Sequence, residues 1–296
     1  MIRIGVLGFG EAGSTFASAL ADAGAVVDSY DQLWEQSDTR DLRKRSAEYP
    51  GITFCLLPEL LESAEVILST VTTDAALDAA KACLPHLRSG QTYCDLNSTA
   101  ASIKLQLDDL LKPSDGVFVE GAILGAIGVT GAGTRILLGG HHAQALSETL
   151  NRFGLNTSAY SRDIGKASTF KMLRSVFSKG LEALIIEFLM AGEKAGLQKD
   201  LWQEVTTLMT DHRFEDVARN WVCSHGVAYE RRYHEMVQVV DLLNDMQLDP
   251  VMTEATNRFF KRSTELRLGD DFASKPELMD DVVEALLRRL SRRQLR

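Results

Sequence analysis

The chain has 296 residues, of which 45% are hydrophobic and 25% charged, and its net charge is −9. That length allows two domains, each with a core of its own, and the composition is that of an ordinary globular protein. The acidic balance argues against nucleic acid or an anionic membrane as the main partner, since both need a basic face; it leaves room for a local basic pocket.

Ile2, Ile4, Val6 and Leu7 form an apolar run suited to a buried strand. Gly8-Phe9-Gly10-Glu11-Ala12-Gly13 follows, then an alanine-rich helix over residues 14–23 and a second strand that ends at Asp31. This is the order of a dinucleotide-binding βαβ unit. Gly8 allows the tight turn, Gly10 lets a pyrophosphate approach bare backbone, and Gly13 lets helix and sheet pack closely. The helix start favours bound phosphate. Asp31, 18 residues after Gly13, is placed to accept hydrogen bonds from the adenosine ribose hydroxyls. A 2′-phosphate there would meet like charge, and neither Gln32 nor Leu33 supplies an arginine for it, so NAD is expected over NADP.

The charged segment from Asp38 to Glu48 reads as a surface helix. Strands are expected at Ile52–Cys55 and Val66–Ser69. The polar loop Thr70-Val71-Thr72 and on to Asp74 then falls at a strand's C-terminal end, where open α/β sheets bind ligands. A helix from Ala75 stops at Pro85, and Thr92–Asp95 is another strand. The loop Leu96-Asn97-Ser98-Thr99 either meets the ligand or caps the helix from Ala101. Strands at Val117–Glu120 and Arg135–Leu138 flank a glycine-rich loop, Gly121 to Gly128, which either offers backbone N–H groups to an anion or is a tight packing turn. One more helix and strand reach Tyr160. The alternation means a doubly wound Rossmann-type α/β domain over residues 1–162.

From 163 to 296 the periodicity is helical. Helices are expected at 165–195, 199–211, 213–223, 230–247, 250–268 and 275–293, with breaks at Gly196, Gly226, Pro250 and Pro276. On the first of them Lys171, Arg174, Ser175 and Ser178 share one face, which is either a solvated edge or a pocket wall. The four cysteines and six histidines show no metal spacing. The apolar stretch around Leu181 to Ala191 is interrupted by Glu182 and Glu187 and is too short to span a bilayer. With a strand already at residue 2, no signal peptide is expected, and the protein is expected to be cytoplasmic.

The fingerprint at 8–13, the loop at 120–126, Gly133-Thr134 with Gly139-Gly140, and Lys171 occur together in an order that resembles the β-hydroxyacid dehydrogenases, relatives of 6-phosphogluconate dehydrogenase. Tyr229 to Met236 and Asp249 to Thr253 resemble a branch whose C-terminal domain has no known function. The resemblance implies an NAD-dependent oxidoreductase acting on the hydroxyl, or the corresponding carbonyl, of a small anionic hydroxy acid. Lys171 is then the catalytic acid/base, Gly125 lies in the substrate loop, and Asn97 and Ser98 sit beside the nicotinamide or the substrate. Two departures stand out. Leu124-Gly125-Ala126 replaces a serine and two glycines, and Arg174 stands where the family has asparagine. Arg174 could clamp a carboxylate or a phosphate bidentately. The helical domain is expected to form a homodimer or higher oligomer. Arg231, Arg232 and His234 are then either substrate contacts donated by a neighbouring subunit or a solvated basic turn. Rival readings are an imine reductase, a decarboxylating enzyme with Glu182, Glu187 or Glu193 as the additional acid, and an NAD-binding sensor without turnover.

Overall fold

An eight-stranded sheet organises the first part of the chain. The computed structural model, which describes residues 1–33, 44, 47–114 and 116–294, orders it β3-β2-β1-β4-β5-β6-β7-β8. The strands are β1 (Arg3–Leu7), β2 (Val26–Tyr30), β3 (Ile52–Phe54), β4 (Val66–Ser69), β5 (Thr92–Asp95), β6 (Val117–Ile123), β7 (Arg135–Gly139) and β8 (Asn156–Ser161). Neighbours pair in parallel except β6 with β7, where Glu120 opposes Gly139. β6 therefore runs past the expected Glu120, through Gly121 and Ala122. The order reverses between β1 and β4, and that switch point is where open sheets leave a crevice.

Helices α1 (Glu11–Asp22), α2 (Leu57–Ser63), α3 (Ala76–Cys83), α4 (Ala101–Leu111), α5 (Ile127–Thr130) and α6 (Ala143–Arg152) alternate with the strands. Apolar side chains of both sheet faces are buried, as the continuous apolar strand sequences require. One core joins Ile4 and Val6 to Phe16 and Leu20 of α1 and to Leu146 and Leu150 of α6. The other joins Leu7 and Ile67 to Leu60 of α2, Ala80 of α3, and Leu107 and Leu111 of α4. The helix expected over Asp38 to Glu48 falls largely outside the described residues.

This compact unit comprises Met1–Val176, and a second one comprises Phe177–Arg296. The start of α7 (Lys166–Ala195) is grouped with the sheet because it begins against it: its Ala167 is fully buried with Ala122 and Leu137.

The second unit holds the rest of α7 with α8 (Gln198–Asp211), α9 (Phe214–Asp245), α10 (Val251–Glu265) and α11 (Met279–Gln294). The break expected at Gly226 does not occur, and α9 passes straight through it. A Cβ there would stand 3.2 Å from both Phe272 and Pro276, so the glycine serves close packing instead of termination. Tyr229, Leu268, Val282 and Ala285 form a small core, and the Asp271 carboxylate accepts from Arg289 Nε at 2.6 Å and Nη2 at 2.7 Å. Glu187 accepts hydrogen bonds from the Met252 and Thr253 N–H groups at 2.7 and 2.8 Å, capping the start of α10. Among the described residues no helix is long and apolar enough to cross a membrane, and no group of three or more His, Cys, Asp or Glu side chains could hold a metal.

Candidate active site

The turn out of β1 is built as its sequence requires. Gly8 has φ +89°, and a Cβ on it would stand 2.8 Å from the Thr70 carbonyl oxygen. A Cβ on Gly13 would overlap the Gly8 carbonyl oxygen, whereas one on Gly10 would meet nothing within 4 Å. Gly8 and Gly13 are thus glycines for the protein's own packing, and Gly10 is a glycine facing open space. Thr70, at the end of β4, ties the turn down: its hydroxyl donates to the Gly8 carbonyl at 2.7 Å.

Asp31 follows directly on β2, beside this turn. Its Oδ2 accepts from the Phe9 N–H at 2.8 Å and its Oδ1 from the Leu33 N–H at 2.9 Å. Each oxygen keeps a further lone pair, and the residue lines a hollow of about 480 Å³ with Gly8, Gly10, Leu33, Thr70 and Asp78. The Phe9 ring is buried in the core, edge-on to Tyr49 and Phe54.

A second hollow, also about 480 Å³, shares Thr70, Val71 and Thr72 with the first. Glu11, Ala12, Asn97, Ser98, Gly125, Ala126 and Lys171 line it. Beneath it lies a buried ion pair. Lys104, fully buried, donates to Asp95 Oδ2 at 2.5 Å and to the carbonyls of Asp95 and Asn97 at 2.8 and 2.9 Å. The other Asp95 oxygen accepts from Asn97 Nδ2, which also donates to Ser69 Oγ at 3.1 Å. Asn97 Oδ1, in a residue only 5% exposed, has no protein partner.

Lys171 reaches this hollow because the start of α7 is fixed from the sheet. Buried Glu120 accepts from the Ala167 N–H at 3.0 Å and from Ser168 Oγ at 2.7 Å, taking up donors the helix start leaves open. Gly139 is glycine because a Cβ would stand 2.5 Å from Glu120 Oε1. Gly165 has φ +94°, and a Cβ on it would stand 3.2 Å from the Ala101 methyl group. From this base Lys171 Nζ donates to Ser98 Oγ at 2.5 Å. Burial first, and then the Lys104 charge, push the Lys171 pKa below that of a free lysine.

The other residues singled out in the sequence are placed as follows. Leu124 packs against Ala122, Leu137 and Ala167. Arg174 and Ser175 are exposed, and the Ser175 hydroxyl donates back to the Lys171 carbonyl at 3.0 Å. Arg232, in the second unit, donates to Ser224 Oγ at 2.6 Å and the Trp221 carbonyl at 3.2 Å, both on its own helix. Arg231 pairs with Glu235 one turn on. Lys104 and Glu120 were missed by the sequence reading. The signal for Lys104 was present: it shares a helix face with Leu107 and Leu111, where a lysine needs a buried partner.

Crevice and fold together define a dinucleotide-binding α/β unit joined to a helical one. The model for the NAD binding domain of 6-phosphogluconate dehydrogenase matches residues 3–160, and the chain belongs to that family. Residues 3–160 are accordingly an NAD(P)-binding Rossmann domain of the hydroxyacid-dehydrogenase-like oxidoreductases. A second model, for a domain of unknown function (DUF1932), matches residues 193–263.

The chain is 33% identical to a conserved protein of unknown function whose structure is described as similar to 3-hydroxyacid dehydrogenases, with a TM-score of 0.60 over 90% of this chain and 99% of that one. It is 28% identical to a conserved hypothetical protein of Sinorhizobium meliloti, with a TM-score of 0.62 over 98% of this chain and 97% of that one. Glyoxylate/succinic semialdehyde reductase 1 of Arabidopsis thaliana is 23% identical over 199 residues, 64% of this chain and 69% of the relative. The imine reductase of Myxococcus stipitatus in complex with NADP+ is 16% identical with a TM-score of 0.75, covering 97% of this chain and 99% of that one, and its V8 variant was solved with NAD+. At that identity the likeness is one of fold.

Proposed function

We propose that this protein is an NAD-dependent oxidoreductase that oxidises the hydroxyl of a small anionic hydroxy acid, or reduces the corresponding carbonyl, with Lys171 as general acid/base. The observation that carries the reading is the Lys171 amine, within one hollow beside Ser98, Asn97 and the open backbone at Gly125 and Ala126.

The residues fit a pyridine dinucleotide. Open space over Gly10 suits a pyrophosphate at the start of α1. The Asp31 carboxylate suits ribose hydroxyls and disfavours a 2′-phosphate, which supports NAD over NADP. The unpartnered Asn97 Oδ1 awaits a donor. When bound, the nicotinamide ring supplies the hydride acceptor. The protein's part is proton movement. In the oxidation direction Lys171 must take the hydroxyl proton as a free amine, and its lowered pKa makes that form accessible nearer neutral pH. Ser98, hydrogen-bonded to the amine, orients it toward the hollow. The exposed Arg174, three residues on, is offered as the cation for the substrate's acid group. Glu187 is engaged in capping α10, which weakens the decarboxylating alternative.

The helical unit is proposed to associate with a second copy. It keeps few apolar side chains buried, while Leu184, Ile186, Met190, Trp202 and Trp221 are exposed. Light scattering should give twice the mass of one chain, and a monomer would refute this part.

The reaction is tested by following NADH formation across a panel of small hydroxy acids with NAD+, and NADPH consumption with cyclic imines. Turnover in the first arm alone is expected. Turnover in the second alone would make the enzyme an imine reductase.

A further inference from the structure

Lys104 has three N–H donors and no exposed atom, and four acceptors surround it: Asp95 Oδ2 and the carbonyls of Asp95, Asn97 and Gly121, the last at 3.3 Å. Fully buried and absent from the lining of the hollow, it does not touch a ligand. Its effect is on what the wall above presents. An ionised Asp95 carries no proton, so the group of Asn97 that faces it must be the amide nitrogen. The second hydrogen of that nitrogen goes to Ser69 Oγ. Turning the amide over would set two oxygens against each other in a buried place. Asn97 is therefore held in one orientation, and its oxygen is left as the unpartnered atom.

We propose that Lys104 is a positioning residue of this site: from beneath the floor it fixes Asp95, and through Asp95 the Asn97 amide, so that the wall presents an acceptor to a donor group on the ligand. The inference rests on reading the groove as a dinucleotide site. Without the Lys104 charge, burial would favour a protonated Asp95. A protonated acid can donate to a turned-over amide, and the wall would lose its fixed polarity. The matching ligand group is an N–H or O–H donor. Two sources have that chemistry, the carboxamide NH2 of the nicotinamide and the hydroxyl of an alcohol substrate.

The test is a comparison of binding affinities, independent of turnover. NADH and its 3-acetylpyridine analogue, in which a methyl group replaces the carboxamide nitrogen, are titrated by fluorescence into the parent chain and into Lys104→Met, Lys104→Arg and Asp95→Asn. ADP-ribose, which lacks the ring, serves as the reference. If the donor is the carboxamide, the parent binds NADH about tenfold tighter than the analogue, the size expected when a buried acceptor is left unpaired. The preference falls toward unity in Lys104→Met and Asp95→Asn and is partly restored in Lys104→Arg, while ADP-ribose binding is unchanged. If the donor is the substrate hydroxyl, the cofactor preference is flat and the same pattern appears for 3-hydroxypropionate against 3-methoxypropionate on the NAD+-loaded chain. Asp95→Asn keeps the side-chain volume and covers the case in which Lys104→Met does not fold. Preference in neither pair, or a preference unchanged in variants that still bind ADP-ribose, overturns the proposal. A parent chain that binds neither NADH nor ADP-ribose overturns the dinucleotide reading itself, so the two failures are distinct.

Discussion

Glu120 on β6 and Ser168 on α7 are joined by a 2.7 Å hydrogen bond between two buried side chains, with the same carboxylate accepting the Ala167 N–H at 3.0 Å. Lys171 lies three residues beyond Ser168, so the sheet sets where its amine starts from. Glu120→Ala strands two buried donors and should cost about 2–4 kcal/mol in a urea melt. Glu120→Gln, which keeps one acceptor oxygen, should cost less. Equal, negligible losses in both would show that the helix start is held by something else.

The two kinds of glycine in the fingerprint separate folding from binding. Gly10→Ala adds a methyl group into open space, so its melting temperature should stay near the parent's while NADH affinity drops at least about tenfold. Gly13→Ala drives a Cβ into the Gly8 carbonyl, and it should lose stability as well. Differential scanning fluorimetry with and without NADH checks both.

His225 gives the helical unit an acid-sensitive stability. Burial, and then the Arg232 charge, lower its pKa to about 4, and its Nε2 lies 2.9 Å from Ser263 Oγ. In the unfolded chain the group titrates near 6.5. Between those values the unfolded state binds the extra proton. Stability is therefore full above about pH 6.5, falls as pH drops toward 4, and loses nothing further from this group below that. The fall is about 3 kcal/mol at most. Denaturant melts across that range should show the slope, and His225→Phe, though less stable at neutral pH, should lack it.

Much of the fold could be read from the chain because the signals were local. The apolar run at residues 2–7, the glycine spacing and the acid at Asp31 each act within one βαβ unit. Lys171 was legible by resemblance, yet helical spacing alone did not separate it from Arg174, and only the tertiary anchor at Glu120 shows which of the two meets Ser98. α2, seven residues with Pro58 in its first turn, is too short to show a period. Gly226 was misread because a glycine that ends a helix and one that admits a neighbour look alike until Phe272 and Pro276 are in place. The cation that acts on the Lys171 amine is Lys104, which is far earlier in the chain and buried, so no local spacing announces it.

The most direct test of the central claim is NADH formation by Lys171→Met on the best hydroxy acid of the panel, measured with the NADH dissociation constant of the same variant. Turnover should fall by about a hundredfold or more, with NADH bound nearly as tightly as by the parent. Parental turnover in that variant would remove the lysine from the proton transfer and contradict the account.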